Sequence, residues 1–308
     1  MKKLVWFFSL ILFAAGVFFL SAKKKKPLRF VAGFQGGTYY KIGLSLNKIP
    51  GLKFDVRTTK GSRLNIEAIA KRKADFGMAQ LDIMINMARN DATIKQRVKV
   101  LLPIYAEEVH LLAEKSISSI EGLNSKTVSV GQKDSGTQGT SMILLEAAGI
   151  RDDQVDIQQL PPYIALQQLV LKRKIDAMFV VSGQPVEMLS SLPASAGEMI
   201  HAVPISSSMV QKLVNRGLPY RPAVLKKKNY PWLNADTPTV AVDSVLIVRN
   251  DIKPKYVKKI IQAIFDNQSK FESYHPKWKQ MTRQYVKEVA TKHSTYFHKT
   301  ALEVIQTL

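Results

Sequence analysis

The sequence predicts an α/β protein with two similar βαβαβ lobes, a hinge and a cleft between the lobes. From residue 28, short apolar strand patterns alternate with helical patterns, and the same order recurs roughly one hundred residues later. Strands that alternate with helices predict a parallel sheet with right-handed crossovers. The length of 308 residues suits about two domains, each with its own core.

The first unit begins with a strand pattern and continues through two loop–helix–strand steps. Its predicted strands cover residues 28–33, 52–58 and 74–80. Loops of small residues, 35–38 and 59–62, precede predicted helices over about 39–48 and 62–72.

The second unit repeats this order. Its predicted strands cover residues 127–131, 155–160 and 175–181, and the loop 134–137 opens a helix that ends at Gly149. A further helix is predicted from Pro162 to Leu171. The segments 36–38 and 71–75 of the first unit are matched by 135–137 and 172–176. These echoes indicate two similar lobes, although coincidence between two common α/β units remains an alternative.

The C-terminal part returns to strand and helix. A long strand is predicted over residues 239–248, and the helix that Pro254 opens has its apolar residues on one face. We expect this tail to pack back on the first lobe, with hinge crossovers near residues 113–126 and 236–242. The predicted domains are therefore an N-terminal segment over 1–26, a first lobe over 27–115 plus 240–308, and a second lobe over 116–239.

The N-terminus is typical of an export signal or a membrane anchor. Two lysines precede an apolar run over residues 4–20, and four lysines follow at 23–26. The run is at the short end of the range that spans a bilayer. For cleavage after Ala22, Leu20 would occupy the −3 position, which normally holds a small residue. This favours an uncleaved anchor over a signal peptide.

The charge does not indicate a nucleic-acid binder. The chain has 45 Lys+Arg against 24 Asp+Glu and a net charge of +21, of which residues 1–29 supply seven. The remainder is scattered and has no RNA-binding aromatic signature or zinc-finger spacing, so solvated faces explain it better. The absence of cysteine excludes disulfides, thiolate metal sites, a cysteine nucleophile and a lipid-modified N-terminal cysteine.

The loops that open the helices are candidate binding elements. A small-residue loop before a helix leaves backbone N–H groups free and presents the positive end of the helix dipole, which suits an anion. Gln80 ends one predicted strand, and Gln184 follows another at the corresponding rim of the second lobe. The candidate ligand-binding residues are Gly37, Thr38, Tyr39, Ser62, Gln80, Ser135, Gly136, Thr137 and Gln184. Ordinary N-caps, turns, strand ends and, for Tyr39, a core position are the alternatives.

Signals for catalysis are weak. The five histidines have no HExxH or paired-ligand spacing, and neither a G-x-S-x-G elbow nor a P-loop occurs. We therefore expect no catalytic residues, no metal site and no cofactor. An α/β transferase that uses the glycine loop for a phosphorylated substrate remains an alternative, disfavoured by the lack of a base–nucleophile pair.

Several motifs occur together in a fixed order. They are Gly36-Gly37-Thr38-Tyr39-Tyr40, Thr59-Lys60-Gly61-Ser62-Arg63-Leu64-Asn65, Ala79-Gln80-Leu81-Asp82, Asp134-Ser135-Gly136-Thr137, Ile175-Asp176-Ala177 with Gly183 and Pro185, and Tyr274-His275-Pro276. In this order and spacing, over about residues 28–285, the chain resembles the TAXI-type substrate-binding proteins of tripartite ATP-independent periplasmic (TRAP) transporters. The resemblance adds Asn65 to the candidate ligand-binding residues.

The resemblance implies a type II periplasmic binding-protein fold that closes on a small organic anion, such as a dicarboxylate or an amino acid. It also implies no catalysis, a periplasmic location and membrane permease subunits as partners. The poorly cleavable N-terminus, which would tether the protein to the inner membrane, and the basic body depart from this pattern. They leave a membrane-tethered sensory or accessory protein of the same fold as the alternative.

Overall fold

The computed structural model describes residues 26–308. The predicted export segment therefore lies outside the described residues, apart from Lys26. Within residues 26–308, no helix combines the length and the apolar character needed to cross a membrane.

Ten strands of the described chain form one sheet, in the order β2-β1-β3-β10-β4-β7-β5-β6, with β8 paired to β4 and β9 paired to β10. The strands are β1 (Leu28–Val31), β2 (Phe54–Arg57), β3 (Phe76–Gln80), β4 (Val98–Glu114), β5 (Thr127–Ser129), β6 (Asp156–Gln158), β7 (Ala177–Ser182), β8 (Ile200–Ala202), β9 (Tyr220–Leu225) and β10 (Thr237–Arg249). All seven strands predicted from the sequence are present, with ends shifted by at most two residues.

The two ends of the sheet repeat one arrangement. Strand β1 pairs in parallel with β2 and β3, and strand β5 pairs in parallel with β6 and β7. We refer to the β1–β3 end as the first lobe and to the β5–β7 end as the second lobe. The predicted two-lobed α/β architecture is therefore confirmed, because each lobe contains the parallel βαβαβ unit that the sequence indicated.

The middle of the sheet is antiparallel, which the sequence did not predict. Strand β10 is antiparallel to both β3 and β4, and β4 is antiparallel to β7. Strand β4 pairs with β10 up to Glu108 and with β7 from Glu108 to Ala113. Both β4 and β10 therefore run from one lobe into the other. The domain boundaries given above stay predictions.

The helices pack around this sheet. They are α1 (Thr38–Ser45), α2 (Ser62–Ala70), α3 (Leu81–Asn90), α4 (Ala92–Arg97), α5 (Gly136–Ala147), α6 (Pro162–Gln167), α7 (Glu187–Ser190), α8 (Ala196–Met199), α9 (Ser207–Asn215), α10 (Pro254–Asp266), α11 (Gln268–Tyr274), α12 (Arg283–Lys292) and α13 (Lys299–Gln306). A short 3₁₀ helix, Pro276–Gln280, lies between α11 and α12. Helix α5 ends near Gly149, whose φ of +81° is readily adopted only by glycine, as the sequence predicted.

The apolar face predicted for the helix after Pro254 is buried. Val257, Ile260, Ile261 and Ile264 of α10 have no exposed surface. Burial of each such side chain contributes about 1.5–3 kcal/mol, so this face fixes the helix to the body of the protein. The 3₁₀ helix after it is held on the first lobe, where the indole N–H of buried Trp278 donates to Ser45 Oγ of α1 at 3.2 Å.

Candidate functional site

A cavity of about 800 Å³ lies between the two lobes. Its walls come from the loop before α1, the loop before α2, the end of β3, the middle of β4, the loop before α5, the end of β7 and the 3₁₀ helix Pro276–Gln280. Apart from β4 and the 3₁₀ helix, these are the loops and strand ends where an open α/β sheet places its ligands.

Three helices begin at this cavity, each after a small residue. Helices α1, α2 and α5 follow Gly37, Gly61 and Ser135, and all three residues line the cavity. Gly61 has φ +122°, a conformation that few other residues adopt. The first turn of a helix has backbone N–H groups without helical partners, so three such ends give the cavity a positive potential.

Nine of the ten predicted ligand-binding residues line the cavity. They are Gly37, Thr38, Tyr39, Ser62, Gln80, Ser135, Gly136, Thr137 and Gln184. The loops that the sequence analysis selected therefore line one cavity. Ligand binding by these residues stays a prediction.

Asn65 is the exception and requires a correction. It is fully buried and does not belong to the cavity lining. Its side-chain amide donates to the backbone oxygens of Ala32 and Met78, and its Oδ1 accepts from Thr59 Oγ1 at 2.7 Å. All of these contacts join α2 to β1, β3 and the loop before α2, so Asn65 holds the first lobe together instead of facing a ligand.

Gln184 lines the cavity with its side chain already engaged. Its Nε2 donates to Val224 O at 2.9 Å, and its Oε1 accepts from the Lys226 N–H at 2.9 Å and from Asn229 Nδ2 at 3.1 Å. These bonds fix the loop after β7 to β9 and to the segment that follows β9. They leave the backbone of Gln184, rather than its amide, for contacts across the cavity.

The two lobes touch behind the cavity through a buried polar network. Gln80 Nε2 donates to Thr140 Oγ1 at 3.2 Å, and that hydroxyl donates to Asp82 Oδ2 at 2.6 Å. Tyr220 OH donates to the same oxygen at 2.5 Å. Burial raises the pKa of Asp82, although the Thr140 and Tyr220 hydroxyls act against this rise. Asp82 therefore joins the lobes instead of facing the cavity.

The carboxyl group of Glu107 is a part of the cavity wall that the sequence analysis missed. Glu107 is 4% exposed and lies on β4 beside Tyr105. Tyr105 OH donates to its Oε1 at 2.7 Å, and Tyr39 OH lies 3.4 Å from its Oε2. Burial raises the pKa of Glu107 to about 8, so the carboxyl group is mostly neutral at pH 7. Two adjacent glutamates inside a long apolar run were the available sequence signal.

Lys277 is a second residue of the cavity wall that the sequence analysis missed. It lies in the 3₁₀ helix, and its Nζ donates to Gln184 O at 2.7 Å and lies 5.5 Å from the centre of the Tyr105 ring. Partial burial lowers its pKa, and the neighbouring Glu108 and Glu107 raise it. The same segment is fixed to β4, because Gln280 Oε1 accepts from the Ala106 N–H at 2.9 Å. The Tyr274-His275-Pro276 motif pointed to this segment but not to its lysine.

Over residues 26–308, no cluster of three or more potential His, Asp or Glu ligands is positioned to hold a metal ion. The site is a cavity with hydroxyls, backbone amides, three lysines and one buried carboxyl group.

The profile of the NMT1-like family matches residues 30–304, which is most of the chain. The chain belongs to the NMT1-like family. The TAXI subgroup suggested by the motifs is a finer assignment that this match does not reach.

Two solved structures resemble the fold of this NMT1-like protein. The ligand-binding core of GluR0 from Nostoc punctiforme, in complex with L-glutamate, has a TM-score of 0.51 at 17% identity, over 82% of this chain and 99% of that chain. XAC2383 from Xanthomonas citri, bound to ATP, has a TM-score of 0.51 at 9% identity, over 92% of this chain and 99% of that chain. At these identities the likeness concerns the fold alone, and it agrees with a two-lobed periplasmic binding-protein architecture.

Proposed function

We propose that this NMT1-like protein is an extracytoplasmic solute-binding protein that captures a small organic anion, a carboxylate or an amino acid, in the interlobe cavity. The observation that carries the proposal is the convergence of three helix N-termini and the half-buried Lys277 on one cavity between the lobes. Such a set stabilises negative charge without a metal or an arginine.

The charges of the cavity favour an anion over a cation. Lys41, Lys60 and Lys277 line it together with Glu107 and Glu187. Because Glu107 is mostly neutral at pH 7, the lysines outnumber the ionised carboxylates. A cationic ligand would meet a positive potential here, whereas a carboxylate would be attracted.

The size and the walls of the cavity suit a small molecule. Its volume of about 800 Å³ lies within the range of about 300–1,000 Å³ that is common for small-molecule sites. Tyr39, Tyr163, Phe179 and Met188 supply apolar surface for a carbon skeleton. The GluR0 and XAC2383 structures hold L-glutamate and ATP, which are both anions at neutral pH and are consistent with this ligand class.

We further propose that the protein works in the periplasm and delivers its ligand to the permease subunits of a TRAP-type transporter. The support is the order and spacing of the motifs from Gly36 to Pro276. A membrane-tethered sensory or accessory protein is the second candidate, favoured by the apolar run over residues 4–20 and its poor cleavage site. Fractionation of cells separates the two, since a shuttling protein is released by osmotic shock and a tethered one stays with the membrane.

A thermal-shift screen of the full chain tests ligand capture. Succinate, 2-oxoglutarate, L-glutamate and benzoate are expected to include at least one compound that raises the melting temperature. Lys277→Met should weaken that effect, whereas Lys279→Met, which removes an exposed lysine of the same 3₁₀ helix, should leave it unchanged. No rise with any organic anion would contradict the proposal.

A further inference from the structure

Glu107 is the one carboxyl group held deep in the cavity wall by hydroxyl groups alone in the described part of the chain. Its hydrogen-bond partners are the hydroxyls of Tyr39 and Tyr105. Among residues 26–308, no cation forms an ion pair with it. A buried carboxylate normally has a cation or several N–H donors as partners. Its environment therefore suits a neutral acid better than an anion.

Four titratable groups face Glu107 from the elements packed around it. Tyr39 of α1 and Tyr105 of β4 donate to it, Asp82 at the start of α3 disfavours a second negative charge, and Lys277 of the 3₁₀ helix favours one. Burial outweighs the lysine, and the resulting pKa is about 8. The positions of these groups, together with the raised pKa, place the neutral carboxyl group of Glu107 beside the cationic Lys277 in the cavity wall.

We propose that Glu107 keeps its proton in the cavity and donates it in a hydrogen bond to an oxygen of the bound anion, so that Glu107 and Lys277 together select organic anions against cations of similar size. This inference rests on the proposed function and assigns to it a specificity-determining residue.

The selection follows from the two protonation states. A neutral carboxyl group donates one hydrogen bond, while an ionised carboxylate only accepts and would repel a ligand carboxylate at the same place. A bound anion therefore strengthens the hold of Glu107 on its proton, and a bound cation would weaken it. Anion affinity should be highest below about pH 8, which is the pKa of Glu107 in the empty cavity. Above this pH it should fall about tenfold per pH unit.

The first part of the test needs no ligand. The full chain is produced with ¹³C-labelled glutamate, as the wild type and as Glu107→Gln. Infrared spectra of the two proteins at pH 7 are then compared. The labelled carbonyl band of a protonated carboxylic acid should be present in the wild type and absent from the variant. The label separates this band from that of Asp82, a buried acid behind the cavity. An ionised Glu107 at pH 7 would overturn the inference, whatever the ligand.

The second part uses a matched pair of four-carbon probes, succinate and putrescine, and any anion found by the screen. An anion should raise the melting temperature at pH 6.5 and lose this effect at pH 9.5, and putrescine should have none. Glu107→Gln keeps a neutral donor, so its anion affinity at pH 6.5 should stay within about threefold of the wild-type value. Between pH 6.5 and pH 9.5 the affinity of the variant should fall less than that of the wild type, because only the lowered pKa of Lys277 then weakens binding. Glu187→Gln, at an exposed carboxylate of the same cavity, should keep the wild-type pH profile.

The outcomes separate this inference from the proposed function. Anion binding with an ionised Glu107, or with an unchanged pH profile in Glu107→Gln, would overturn the inference and leave the proposed function intact. Stabilisation by putrescine would overturn the inferred selection for anions. No stabilisation by any anion at any pH would overturn both.

Discussion

Gly136 of the second lobe has no room for a side chain because Gln80 of the first lobe fills the space beside it. A Cβ atom built on Gly136 would lie 1.5 Å from Gln80 Oε1 and 2.6 Å from Ser62 Oγ. The two lobes therefore meet directly at the helix N-terminus that also lines the cavity. This contact, together with the Gln80–Thr140 hydrogen bond, defines the closed arrangement of the cleft.

Gly136→Ala is expected to disfavour this closed arrangement. Gln80 is 2% exposed, so it can make room only by leaving Thr140, or the lobes must separate. Overpacking of this kind costs about 1–3 kcal/mol, which corresponds to a loss of ligand affinity of about 5-fold to 150-fold. Titration calorimetry with the anion from the screen measures it. Gly122→Ala is the control, because its Cβ would meet only Ile117 at an ordinary 3.5 Å.

Tyr220→Phe should destabilise the protein through Asp82. The substitution removes one of the two hydroxyls that donate to Asp82 Oδ2 in a fully buried setting. Loss of one partner of a buried acid costs about 1–3 kcal/mol in the free energy of unfolding. Urea denaturation measures this loss. Tyr163→Phe, at a tyrosine that is 62% exposed at the cavity, should leave the unfolding midpoint unchanged. Equal midpoints for both variants would contradict the role of the network.

Asn65→Ala should lower stability far more than it lowers ligand affinity. It leaves the backbone oxygens of Ala32 and Met78 without the amide that they accept from, inside the first lobe. We expect a loss of about 2–4 kcal/mol in the free energy of unfolding, measured by urea denaturation. The dissociation constant of the anion, measured without urea at a temperature where the variant is folded, should be unchanged. The exposed Asn90→Ala is the control for stability. A selective loss of affinity in Asn65→Ala would restore Asn65 to the ligand-binding residues.

Glu107 should make the stability of the empty protein depend on pH. Its pKa in the folded state, about 8, lies above its ordinary value of 4.5. The contribution of Glu107 to stability is therefore fully present below about pH 4.5 and is lost as the pH rises through 8. The slope approaches about 1.4 kcal/mol per pH unit within this window. Urea denaturation at several pH values should give a steeper decline for the wild type than for Glu107→Gln, and parallel curves would argue against a neutral buried acid.

The loops of the cavity were predictable because their chemistry is local. Glycine and hydroxyl residues between a short apolar strand and a helical pattern specify a loop and a helix start wherever they occur, as at residues 35–38 and 134–137. The repeated order of strands then predicted that these loops meet at one rim. The same local pattern could not distinguish Ser62, which faces the cavity, from Asn65 one turn later, which faces the core.

Strand β4 could not be predicted from its own residues. Its 17 residues include Pro103, two adjacent glutamates and His110, which are unusual in the centre of a sheet. The structure accommodates Pro103 where the β4–β10 pairing shifts register between Ser244 and Val245. Without β4, sequence reasoning could not assign Glu107 to the cavity, nor Lys277, which reaches it from a segment packed on the first lobe.

The central claim is that the cavity holds a small organic anion, and titration calorimetry of the full chain tests it most directly. The titrant is the anion that most raises the melting temperature, at pH 6.5. One site per chain is expected, with an affinity that falls about tenfold or more in Lys277→Met and stays unchanged in Lys279→Met. Absence of saturable binding by any organic anion, or equal affinity in the two lysine variants, would contradict the account.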